Sequence, residues 1–192
     1  ESDSKRFELK EYLDLKRVND ELLATYTTEE DVKGGITLEQ RTALLIENKD
    51  IHSTDLLHEY FIPKQHLAQF IQDLKPVLKT KKVDLLNITI REVEHDHDAF
   101  MNYAREDVFG LVFLFNQKKT AQQEQDMQQL TQQLVDITLK NQGTFYLPYR
   151  LHVSRDKMRL AYPQTDAFFS LKKKYDPEEI FSNQFYLHYR ES

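Results

Sequence analysis

The sequence contains no cysteine, which excludes disulfides and thiolate chemistry and leaves the redox compartment open. Glycine is scarce: Gly34, Gly35, Gly110 and Gly143 are the only four in 192 residues. A dinucleotide or phosphate cradle needs several glycines close together, so that the backbone can approach the pyrophosphate. With no such cluster, the chain is not expected to bind FAD, NAD or ATP tightly by itself. No apolar run approaches the ~20 residues of a membrane span. No signal peptide opens the chain, and Glu1–Ser2–Asp3–Ser4 reads as a trimmed boundary. A cytoplasmic location is therefore expected. Positive charge is also in deficit, with a net charge of −6. Nucleic-acid binding usually needs a clustered basic face, so no nucleic-acid partner is expected. The one dense basic run, Lys172–Lys173–Lys174, reads as a solvated helix face.

What the chain does have is core material. Hydrophobic residues make up 40% and charged residues 30%, and 12 Phe and 10 Tyr supply large apolar side chains, as in a folded domain. Residues 5–26 space Phe7, Leu9, Tyr12, Leu13, Leu15, Val18, Leu22 and Leu23 mostly as a helix, and a second short helix is expected near 38–48. Residues 1–54 are thus read as a polar, mostly helical segment, 55–153 as an α+β core and 154–192 as a helical C-terminal segment.

Within the core, LLHEYFI (56–62) reads as a strand, with Pro63 as the first position of a following helix. Leu67, Phe70, Ile71 and Leu74 give that helix one apolar stripe, and Pro76 is expected to end or kink it. In the strand 83–93, alternation places Leu86, Ile88 and Ile90 on a core face and Asn87, Thr89 and Arg91 on the other. VFGLVFLF (108–115) is apolar on both faces and reads as a central strand, with Val112 and Leu114 expected to be buried. Thr120 and Gln123 form a capping box for a helix whose buried stripe is Met127, Leu130, Leu134 and Ile137, and which ends at Gly143. Thr144–Tyr149 reads as the last strand. Ser154 caps a helix, and Asp176–Pro177–Glu178–Glu179 opens another. The order strand–helix–strand–strand–helix–strand predicts an α+β fold, an antiparallel or mixed sheet with helices covering one face.

Three stretches together carry a resemblance. LLHEYFIP (56–63), LLNITIREV (85–93) and GTFYLPYRLH (143–152), followed by AYP, DAFF and KYDPEEIFSNQF (161–185), resemble the C-terminal half of FAD-linked oxidases of the vanillyl-alcohol oxidase superfamily. The nearest look is the branch of sugar-alcohol, aldonolactone and decaprenylphosphoryl-ribose oxidases. The resemblance covers roughly residues 55–189. It implies a cap domain whose sheet lies over the flavin ring, an FAD-binding domain on the N-terminal side as partner, and a small polar substrate. The reaction it implies is oxidation of a CH–OH group by hydride transfer to the flavin. A stand-alone binding module descended from such a cap is the alternative from a different class.

The resemblance also nominates residues. In the sugar-alcohol branch the strand equivalent to 83–93 carries an acid and an arginine two apart, both directed at substrate hydroxyls. Here those positions are Thr89 and Arg91, so the arginine is kept and the acid is not. Arg91 is the implied catalytic stabiliser of negative charge, with Thr89 and Asn87 as substrate-binding partners. The structural alternative for Arg91 is a sheet ion pair with Glu59 or Glu92. The active-site lysine of the lactone oxidases aligns on Arg150 in one register, with His152 matching a histidine, and on Tyr149 in the other. Arg150 is therefore a second implied catalytic residue, and Tyr149 and His152 are implied substrate contacts. In the C-terminal segment, Asp176 reads as a helix cap, Phe181 as a contact between domains and Asn183 as a cofactor-side residue. Glu94–His95–Asp96–His97–Asp98 has the composition of a metal site but lacks its spacing, and is read as a charged loop.

Overall fold

The computed structural model describes residues 50–80 and 84–190. The helices expected at 5–26 and near 38–48 lie outside them. The described residues form a four-stranded antiparallel sheet and five α-helices: β1 (Ser53–Pro63), α1 (Leu67–Thr80), β2 (Asp84–Val93), β3 (Val108–Lys118), α2 (Ala121–Lys140), β4 (Thr144–Phe145), α3 (Arg155–Ala161), α4 (Thr165–Tyr175) and α5 (Gln184–Tyr189). The strand order is β2-β3-β1-β4. This is the α+β architecture that the pattern predicts. Among the described residues no helix is long and apolar enough to cross a membrane.

Strand alternation sorts the sheet into two faces. Leu56, Tyr60 and Ile62 of β1 and Leu111, Phe113 and Phe115 of β3 are buried against Leu67, Phe70, Ile71 and Leu74 of α1 and Met127, Leu130 and Leu134 of α2. Ile137, expected in the same stripe, is half-buried at its edge. The Thr120 hydroxyl accepts from the Gln123 amide at 3.2 Å and starts α2 as its spacing foretells. At the other end Gln142 has φ 59°, and Gly143 passes close to β1: a Cβ there would lie 2.6 Å from the Phe61 carbonyl oxygen. The C-terminal helices are tied to this core through tyrosines. Tyr162 Oη donates to the Phe145 carbonyl, and Tyr189 Oη donates to the Val153 carbonyl at 3.1 Å.

Several local expectations are corrected. Pro63 ends β1 and precedes a short 3-10 turn at Lys64–His66, so it stands outside the first α-helical turn. Helix α1 does not end at Pro76 but runs on to Thr80, with Val77 and Leu78 packed against the core beyond the proline. Leu86 does not join Ile88 and Ile90: a β-bulge between Leu85 and Asn87 leaves it 38% exposed and turns Leu85 to the core instead. β3 is interior, yet Val112 and Leu114 are only half-buried, because they lie on the face that carries no helix among the described residues. The strand expected over 144–149 stops at Phe145. Pro148, which cannot donate to a ladder, falls in the turn that follows. Asp176 does not open a helix. It stands at the C-terminal end of α4, pairs with Lys172 and accepts from the amides of Ile180 and Phe181 at 2.9 and 3.0 Å, so it closes a turn.

Candidate functional site on the open sheet face

The face turned away from α1 and α2 is built by cross-strand rows. Thr89 faces Val112, which faces Glu59; Arg91 faces Gly110, which faces Phe61; Asn87 faces Leu114, which faces Leu57. One end of the face is closed by aromatics from the 94–107 loop and the segment after β4. Phe61 stacks on Tyr103 at 4.1 Å, Tyr146 meets both edge-on, and Thr144 Oγ1 donates to the Tyr103 carbonyl at 2.6 Å. The other end is open, with Leu57 44% exposed.

Between the two ends lies a charged pair. Glu59 is 4% exposed, and one of its carboxylate oxygens accepts from the Arg91 guanidinium, whose side chain remains 58% exposed. Arg91 makes the sheet ion pair that its position allows, and makes it with Glu59. This bond holds the guanidinium even more firmly protonated than usual. Gly110 is opposite Arg91; a Cβ there would touch Glu59 Oε1, Phe61 Cε1 and Val93 Cγ2, each at 3.4 Å. Tyr149 lies near the same pair. Burial, then the Glu59 carboxylate and Tyr146, push its phenol up, with Arg91 opposing. Asn87 Nδ2 donates to Thr89 Oγ1 at 3.2 Å on the exposed side. Arg91, Thr89, Asn87 and Tyr149 are thus brought to one face.

Arg150 and His152 are not in that group. They are drawn to the start of α2, where Glu124 binds both: Arg150 Nη1 pairs with Glu124 Oε2, and His152 Nε2 lies 2.8 Å from Glu124 Oε1. Gln117 donates to Glu124 at 2.9 Å, and Thr131 Oγ1 lies 3.3 Å from His152 Nδ1. Partial burial raises the Glu124 carboxyl, but the bonds from Gln117 and His152 and the charge of Arg150 outweigh it and hold the group low. Glu124 and its partners tether the turn that carries Tyr149. Asn183 caps α5, its side-chain oxygen accepting from the Tyr186 amide at 2.8 Å. Phe181 is 78% exposed. In the charged loop, Asp96 accepts from the amides of Asp98 and Ala99, and the rings of His95 and His97 lie 3.8 Å apart.

From the sequence Glu59 is legible only as a possible ion partner of Arg91, and no pattern marks Tyr103 or Tyr146. A signal for Glu59 exists, since His58–Glu59 interrupts an otherwise apolar strand and alternation sends the two to opposite faces. Comparison with individual curated proteins gives no match. A family model described as D-arabinono-1,4-lactone oxidase matches residues 41–189. Those residues contain the whole sheet, the Glu59–Arg91 pair and the Tyr149 turn, and the chain belongs to the D-arabinono-1,4-lactone oxidase family of FAD-linked oxidases.

Proposed function

We propose that this chain is the substrate-side portion of an FAD-dependent oxidoreductase acting on a CH–OH group of a sugar, sugar alcohol or lactone. The observation that carries the reading is the sheet face that no helix covers among the described residues, where a guanidinium, a buried carboxylate, a tyrosine and two small polar groups stand beside half-buried Val112 and Leu114. Such a face suits a flat ring with a polyhydroxylated molecule beside it. The phosphate end of FAD finds no counterpart among the described residues, whose glycines, Gly110 and Gly143, are isolated from each other. An FAD-binding partner domain would supply that half.

FAD, when bound, supplies the acceptor for the hydride leaving the carbon that bears the hydroxyl. The work of this chain is orientation and charge. Asn87 and Thr89 offer hydrogen bonds to substrate hydroxyls on the exposed side. Arg91 stabilises negative charge developing at the substrate oxygen, and Glu59 fixes where the guanidinium points.

Replacement of Arg91 in the full-length, FAD-loaded protein tests this. Arg91→Met keeps much of the length and removes the charge, so substrate-driven flavin reduction should slow by about 100-fold or more in stopped-flow measurements. Thr89→Val should chiefly weaken substrate binding, by about 1 kcal/mol for one neutral hydrogen bond. An Arg91→Met protein that folds, holds FAD and reduces it at the wild-type rate would leave Arg91 a structural partner of Glu59 only.

A further inference from the structure

We infer that Glu59 is the hydroxyl-binding carboxylate of the open face, taking on β1 the role that β2 cannot fill with Thr89. The inference rests on the reading of that face as the substrate side of an oxidase. Register supplies the first argument. Thr89, Val112 and Glu59 lie in one cross-strand row, so a carboxylate missing from β2 is present two strands away in the same row. The Arg91 guanidinium, one row along, reaches that carboxylate across the side of β3 where Gly110 carries no side chain.

The hydrogen bonds of the carboxylate point the same way. Arg91 occupies Glu59 Oε1. The other oxygen, Oε2, receives no hydrogen bond among the described residues, although Glu59 is only 4% exposed. A buried carboxylate oxygen without a donor is costly, and calls for a water or a ligand donor. Glu59 also lines a slot of about 20 Å³ where the edge of the sheet meets α2, together with Tyr146, Tyr149, Arg150, His58 and Phe145. That is room for one water-sized group. A single projecting hydroxyl fits there, whereas a ring does not. On the oxidase reading, the ligand is a polyol or lactone that inserts one hydroxyl and keeps its ring or chain outside.

The test uses the full-length, FAD-loaded protein with D-arabinono-1,4-lactone, xylitol and the monodeoxy analogues of xylitol. In the wild type, deleting one particular hydroxyl should raise KM by about 10- to 100-fold, the scale of a hydrogen bond to a charged group. Glu59→Gln should raise KM for xylitol by a similar factor, and should lose nothing further with that one deoxy analogue. Glu59→Asp, which keeps the charge, should retain part of the discrimination and guards against a glutamine variant that folds poorly. Calorimetric titration of xylitol into the flavin-free protein should give the same ranking without turnover. If Glu59→Gln leaves KM unchanged, or raises it equally for xylitol and every deoxy analogue, Glu59 serves the fold alone and the oxidase reading stands without it. A wild-type protein that neither binds nor oxidises any of these compounds removes the oxidase reading, and the assignment of Glu59 with it.

Discussion

His58 sits at 6% exposure on the core face of β1, with its Nδ1 3.2 Å from Tyr60 Oη and its ring edge against Phe115. Burial, then the positive charges of His152 and Arg150, push its pKa from 6.5 down to about 4. The unfolded chain therefore binds a proton between these two values that the folded chain refuses. Stability is full above about pH 6.5 and falls as pH drops toward 4, by up to about 3 kcal/mol from this group. Carboxylates held low in the fold, such as Asp73 and Glu124, lose their contribution in the same direction as they protonate. A variant isolates the histidine: His58→Gln keeps a polar partner for Tyr60 and cannot titrate. Its stability deficit against wild type, read from urea midpoints, should shrink between pH 7 and pH 4.5. A constant deficit would mean that His58 takes up a proton in the fold as readily as in the unfolded chain. At this scale the sequence showed that Glu59 and His58 interrupt an apolar run. It could not show their partners, because Arg91 stands 32 residues from Glu59 along the chain, and the charges of Arg150 and His152 act on His58 from the far side of α2 in sequence.

Element by element, legibility followed local chemistry. The Thr120 and Ser154 caps were readable, since a hydroxyl bonding an amide three residues on is a local event. The open-face row Asn87–Thr89–Arg91 survived too, because alternation holds on that side of the bulge. The bulge itself was not readable: Leu85 and Leu86 are equally apolar, and which one turns inward is decided by pairing with Phe115. Asp176 was misplaced for a similar reason, as its carboxylate can close a turn as well as open a helix. The α2–β4 corner gives a prediction at this scale. Its backbone approaches β1 so closely that a Cβ on Gly143 would lie 2.6 Å from the Phe61 carbonyl oxygen, 2.7 Å from Ile62 Cδ1 and 2.9 Å from Thr138 Cγ2. Gly143→Ala must displace backbone, and should cost about 1–3 kcal/mol, seen as a lowered thermal midpoint. Gly110→Ala meets its neighbours only at 3.4 Å and should be milder. Equal midpoints for Gly143→Ala and wild type would show that the corner has room to move.

At the scale of the whole molecule, the described residues divide the sheet into a helix-covered face and an uncovered one, and this division bears on what the chain can do alone. The uncovered face can approach a ring, but the described residues contain no closely spaced glycines to hold phosphates. The isolated chain should therefore leave a gel-filtration column without flavin absorbance. Stoichiometric FAD retained through that column would reveal a phosphate site elsewhere in the chain. The α+β architecture was readable from element order, whereas the split of the nominated residues between two faces was not. Arg150 and His152 lie within three residues of Tyr149 in sequence, and Glu124, with Gln117 and Thr131, holds them at the start of α2.

The strand order also governs how the chain is made. β1 ends at Pro63 and its principal partner β3 does not begin until Val108, 45 residues later (108 − 63), while β4 follows only at Thr144. At synthesis rates of about 5–20 residues per second, β1 leaves the ribosome roughly 2 to 9 seconds before β3 can pair with it. During that interval LLHEYFI is an apolar strand with both edges open, a template for mispairing with another nascent chain. His58–Glu59 places two polar groups in the middle of that run, so the residues that serve the finished sheet also act as gatekeepers while it waits for its partner.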